Sequence, residues 1–154
     1  MKPVLFAIAI AIGLTAVPAL AAKSKTTTPP CGNDVCLKLH QQASIALSRA
    51  RVDVILLGKE EYLKNIPDAG MAMMEKVKAA RQEVTPLYAE ASKSAAASPA
   101  VTKALKDYMK MWTAAINSYP MQTVKSTPER EAEHRTYEMR LNDAWSEVQV
   151  EAGI

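Results

Sequence analysis

The side chains with the most distinctive chemistry are the two histidines, His40 and His134, and the eight methionines. Thioether sulfur with imidazole is a donor set suited to Cu(I), and Met with His is also a haem axial pair. If the chain folds into antiparallel helices, Met73 and Met74 near the start of a second helix, Met111 near the end of a third and His134 in a fourth reach similar heights, about 9 to 15 Å from one end. The site this would make is a Cu(I) or haem b site on His134, Met73, Met74 and Met111. Covalent haem is excluded because no C-x-x-C-H occurs. The opposing expectation is packing without a cofactor. The only Phe, Phe6, lies among the first 21 residues, so Met must fill core volume that aromatic rings fill elsewhere. Glu131-Ala-Glu-His134 has the E-x-x-H spacing of di-iron bundles, but it occurs once, and one half of a bipartite site is no site. His40, close to Cys36 and far from His134, is read as structural.

Catalysis finds no footing. A hydrolase nucleophile needs a base within hydrogen-bond reach, and no G-x-S-x-G, H-E-x-x-H, phosphate-binding loop or dinucleotide fingerprint is present. Glu60, Glu61, Glu129, Glu131 and Glu133 fall where helix ends and solvated faces are expected, which accounts for their charge. The expectation is a non-enzymatic protein.

Cys31 and Cys36 are the only cysteines. The C-x4-C spacing, with Gly32 and Asn33 to turn the chain, suits a small structural disulfide. A thioredoxin-type pair would be C-x-x-C opening a helix beside a strand, and neither condition holds.

Such a disulfide belongs to an exported chain, and the N-terminus predicts export. Lys2 precedes an apolar run from Val4 to Val17, and Ala19-Leu20-Ala21 ends it as a signal peptidase site does. The run is about 14 residues, short of the roughly 20 that span a bilayer. Residues 1–21 are therefore read as a cleaved signal peptide of bacterial type, and residues 22–32 as a flexible leader that begins the disulfide loop. The protein is expected in the periplasm or secreted, without stable membrane insertion after cleavage. Sixteen of the first 21 residues are apolar against 59 of the other 133, and the second proportion is ordinary for a soluble domain. A net charge of +3, evenly spread, gives no reason to expect nucleic acid.

Residues 33–154 show the elements that position these groups. Asn33 or Asp34 caps a first helix whose apolar residues, from Cys36 through Leu39, Ala43, Ala46 and Ala50 to Leu57, recur at three and four, and the phase continues to about Lys64. Pro67 opens a second helix with Met73, Met74, Val77, Val84 and Ala91 on its stripe, and Pro86 predicts a kink. Ser98-Pro99 starts a third helix with the cleanest 3.6-residue pattern, Val101, Leu105, Tyr108, Trp112, Ile116 and Tyr119, which Pro120 should stop. Thr127-Pro128 starts a fourth carrying His134, Tyr137, Leu141, Trp145 and Val148, with Gly153 just past its end. No segment alternates with period two. Short connections make neighbours antiparallel, so the expected fold is all-α, an antiparallel up-down four-helix bundle.

Function is then expected to be binding. The leading expectation is an adaptor, inhibitor, immunity or envelope-stress factor that binds another envelope protein. Tyr62, Tyr88, Tyr119 and the loop from Met121 to Lys125 are the anchors considered.

Overall fold

A computed structural model describes residues 31–57, 68–124 and 128–154. They form four helices, α1 (Asn33–Leu57), α2 (Ala69–Ser94), α3 (Pro99–Val124) and α4 (Pro128–Ala152). Among the described residues there is no strand, so the all-α expectation holds. No helix of the described residues is long and apolar enough to cross a membrane.

Each helix has identifiable ends. Before α1, Cys31 adopts φ of 100°, unusual for a residue with a β-carbon, and the Val35 N–H donates to the Gly32 carbonyl at 2.8 Å. Cys31 and Cys36 form a close pair in disulfide geometry, Cα atoms 6.0 Å apart, both buried, with Cys31 Sγ 3.9 Å from the Ala91 carbonyl of α2. The expected continuation of the first helix to Lys64 lies outside the described residues, as does Pro67. The cap of α2 is Asp68, whose Oδ1 accepts the Met71 N–H at 2.9 Å. Asp68→Ala should cost about 1 kcal/mol, read as a lower thermal midpoint by circular dichroism with the folded helix content unchanged.

Pro99 leads α3 as expected, and the three other prolines inside or leading a helix behave differently. Pro128 sits at the first position of α4, as expected, with Glu129 and Glu131 in the first turn near the positive end of the helix dipole. Pro86 lies on the exposed side of a helix that continues for two further turns, where solvent can take the Gln82 carbonyl. Pro120 does not stop α3, contrary to expectation. The helix continues to Val124, and the reason is tertiary. A helical proline costs about 3 kcal/mol, and Ile116 and Tyr119, both fully buried just before it, hold α3 in register. Gly153 ends α4 as expected, with φ of 69° and with its own N–H and that of Ile154 both donating to the Gln149 carbonyl.

α3 is the spine of the core. Val101, Leu105, Tyr108, Trp112, Ile116 and Tyr119 are fully buried, and α3 packs on all three other helices. Alanines at 43, 46 and 50 on the inner face of α1 leave room for these large rings. Trp112 Nε1 reaches the backbone and donates to the Ala43 carbonyl at 3.0 Å. Across α1 and α2, Asp53 pairs with Lys76 at 2.9 Å, Arg49 pairs with Glu83 at 3.3 Å and Cys31 meets Ala91, so rising numbers in α1 meet falling numbers in α2. Across α3 and α4 the order is likewise reversed, with Ser118 on His134 and Tyr108 on Trp145.

Candidate functional site

Two polar centres sit at opposite ends of the seam between α1 and α4. At one end His40 of α1 stacks on Trp145 of α4, ring centroids 4.0 Å apart and nearly parallel, while its Nδ1 lies 3.0 Å from the Tyr108 hydroxyl. Burial pushes the His40 pKa below its ordinary value and the Tyr108 pKa well above its own. The ring is half-buried, packed on Trp145 and beside Tyr108, and its burial favours the neutral form. Between the two ends runs a cleft of about 200 Å³ whose lining includes Ser44, Leu47, Ser48, Leu141 and Asn142.

At the other end His134 is buried, and both ring nitrogens are engaged. Nδ1 lies 3.0 Å from Ser118 Oγ of α3 and Nε2 lies 3.1 Å from Glu138 Oε1, one turn along α4. Arg51 of α1 donates to the same Glu138 carboxylate, and Tyr119 packs its ring 4.5 Å from the imidazole. Ser118 Oγ also lies 2.8 Å from the Ala115 carbonyl, which takes its one proton whenever His134 Nδ1 does not. These contacts accommodate either charge state of the imidazole. Neutral His134 donates from Nε2 to Glu138 and accepts at Nδ1. Charged His134 donates from Nδ1 to Ser118, whose own proton then goes to Ala115. Burial lowers the His134 pKa, the Glu138 charge and hydrogen bond oppose this, and the Arg51 charge adds to it. The Tyr119 hydroxyl is buried with no partner in hydrogen-bond geometry among the described residues, and burial together with the Glu138 charge pushes its pKa up to about 12.

Ser118, His134 and Glu138 in a row have the residue types of a nucleophile, base and acid. The setting differs from that of a hydrolase. Ser118 lies within α3, where the neighbouring N–H groups belong to the helix ladder and cannot serve a developing oxyanion. The arrangement holds a proton and joins three helices.

The expected Met and His donors are not gathered at one point. Met73 is fully buried, whereas Met74 beside it is exposed, since adjacent helical residues point about 100° apart. Met111 is half-buried against the core. It precedes Ser118, the α3 residue that touches His134, by seven positions, or about 10 Å along the helix. A metal at His134 would also have to displace Ser118 or Glu138. Glu131, the carboxylate of the E-x-x-H pattern, is exposed, and the carboxylate that meets His134 is Glu138. Of the proposed aromatic anchors, Tyr119 is buried, Tyr88 packs against the core, and Tyr62 lies outside the described residues. Met121 is exposed, and the side chains from Gln122 to Lys125 lie outside the described residues.

What sequence reasoning missed is the outer face of α1. Leu37, Ile45, Val52, Ile55 and Leu56 are 37%, 44%, 54%, 58% and 39% exposed. At 100° per residue they share one stripe, roughly opposite the buried stripe of Leu39, Ala43, Ala46, Ala50 and Leu57. α1 is thus apolar on two faces, with the large aliphatics outside and mostly alanine inside. The signal was present in the sequence as a second set of apolar residues out of phase with the first.

Among the described residues the fold is all-α, with an aliphatic face of α1 that no other described helix covers. Comparison with protein-family models, with curated proteins and with solved structures returns no match.

Proposed function

We propose that this is an exported, non-enzymatic binding protein of the bacterial envelope, periplasmic or secreted, that docks another polypeptide on the outer face of α1. In this reading residues 1–21 are a signal peptide, residues 22–32 a leader, and residues 33–154 an antiparallel up-down four-helix bundle pinned at its start by a Cys31–Cys36 disulfide. The reversed contact order of α1 with α2 and of α3 with α4 supports that topology. The observation that carries the function is the row of five large aliphatic side chains left in solvent along one helix. Isolated exposed aliphatics are ordinary, whereas several aligned on one helix face mark an interaction surface. An adaptor, inhibitor, immunity or envelope-stress role each requires such a surface.

A photo-crosslinking residue at position 48, in the middle of the stripe, tests the reading in the cell envelope. It should give discrete protein adducts, while the same residue at Gln82 on the exposed side of α2 should not. Adducts absent at 48, or equal at both positions, would reject it.

A further inference from the structure

The occupant of the outer α1 face can be specified further, on the reading just given that this face docks a polypeptide. We infer that it is a second copy of the same chain, packed through α1 about a two-fold axis.

Three observations lead there. The first is spacing. Gln41, Ile45, Ser48, Val52 and Ile55 follow one another at steps of four, three, four and three, the seven-residue period by which one helix lies along another. A copy carries the same period. In an antiparallel arrangement centred beside Ala50, Ile45 of one copy faces Ile55 of the other, and Ser48 faces Val52. This makes four contact layers, in which Ile45 meets Ile55 and Val52 meets the small Ser48, with Leu56 facing Ser44 at their edge.

The second is charge. Three charged residues border the central part of the stripe, and each already has an opposite charge within its own molecule: Arg49 with Glu83, Arg51 with Glu138, Asp53 with Lys76. The border therefore offers no net field to attract a strongly charged partner. Two identical borders can approach without the penalty of like charges left unpaired.

The third is area. At roughly 80 Å² of exposed surface each, the four aliphatics within or beside these layers, Ile45, Val52, Ile55 and Leu56, present about 320 Å² of apolar surface. Pairing two such faces removes about 640 Å², and the intervening Ser44 and Ser48 with the stems of Arg49 and Arg51 bring the total toward about 1,000 Å², the size of a weak, transient interface. This is enough for a reversible dimer with a dissociation constant on the order of micromolar, and too little for an obligate one.

Sedimentation velocity on the protein purified from the envelope fraction, from 1 to 200 µM, reads the result. The sedimenting mass should double across this range. Ile45→Glu, which puts a charge into both outer layers, should weaken association at least a thousandfold and stay monomeric at 200 µM, with an unchanged helical spectrum because position 45 is on the surface. Gln82→Glu, with the same charge change on α2, should dimerise as the parent does. Mixed Ser48→Cys and Val52→Cys proteins should form a cross-linked heterodimer on mild oxidation. A parent that stays monomeric at 200 µM, or a dimer that survives Ile45→Glu, overturns the inference. If the parent is monomeric and position 48 crosslinks only to a different protein, self-association fails and the docking face stands. If position 48 crosslinks to nothing, both fail.

Discussion

Trp112→Ala is expected to lower stability by about 3–5 kcal/mol, the range for deleting a fully buried aromatic ring. Trp112 is 1% exposed at the centre of α3 and lies against the alanine-rich inner face of α1. Its removal leaves a void that small side chains cannot fill, since Ala43, Ala46 and Ala50 have nothing to extend into it. For a domain of this size the thermal midpoint should fall by about 10 to 20 °C. Trp112→Phe separates packing from the hydrogen bond to the Ala43 carbonyl. Most of the volume stays, and that carbonyl belongs to a helix, so about 1 kcal/mol should be lost. Thermal unfolding followed at 222 nm measures both. A shift below about 3 °C for Trp112→Ala would mean that α3 does not pack on α1 through this ring.

That expectation depends on a part of the fold that was legible in the sequence. The apolar stripe of α3 is regular, and Ser98-Pro99 marks its start, because period and cap are local properties. Its end was not legible. Pro120 carries a strong local stop signal, and the packing of Ile116 and Tyr119 that overrides it depends on neighbours in other helices. The same limit governs the polar centre. Glu131 and Glu138 lie about one turn either side of His134 on the same face of α4, and the partners from other helices, Ser118 on the ring and Arg51 on Glu138, accompany the choice of Glu138. Ser118 and Arg51 come from helices whose orientation no local pattern encodes. Met73 and Met74 could have been separated in advance, since neighbouring helical positions cannot share a ligand point. The outer face of α1 is the most instructive omission. The apolar residues of α1 fall in two phases, and two apolar stripes on one helix imply one covered face and one that requires a partner.

Acid should destabilise the protein in a window set by its two histidines. Both have folded-state pKa values below the ordinary 6.5, His40 through burial and His134 through burial and the nearby Arg51 against the opposition of Glu138. In the unfolded chain both take up a proton near pH 6.5, while in the folded protein they resist it. Below that pH the unfolded state binds more protons, so stability is full above about pH 6.5 and is lost as pH falls toward the depressed folded values. Asp107, held low by Lys103, acts in the same direction, but only below its ordinary value near 3.8, so the two regions separate. The thermal midpoint should therefore fall between pH 7 and pH 5. His134→Gln keeps polar contact with Ser118 and Glu138 but does not titrate, and should flatten the fall without removing the part due to His40. Arg51→Met should flatten it too, by a different route. It removes the cation that lowers the His134 pKa and leaves Glu138 free to stabilise the imidazolium, bringing the folded value back toward the unfolded one. Arg51 is mostly exposed, and its salt bridge with the partly exposed Glu138 should contribute little at neutral pH. The variant is thus expected to match the parent at pH 7.5 and to exceed it at pH 5. A midpoint that stays flat or rises toward pH 5 in the parent would contradict the assignment of neutral, buried imidazoles. An Arg51→Met protein that loses as much stability in acid as the parent would show that Arg51 does not bear on His134.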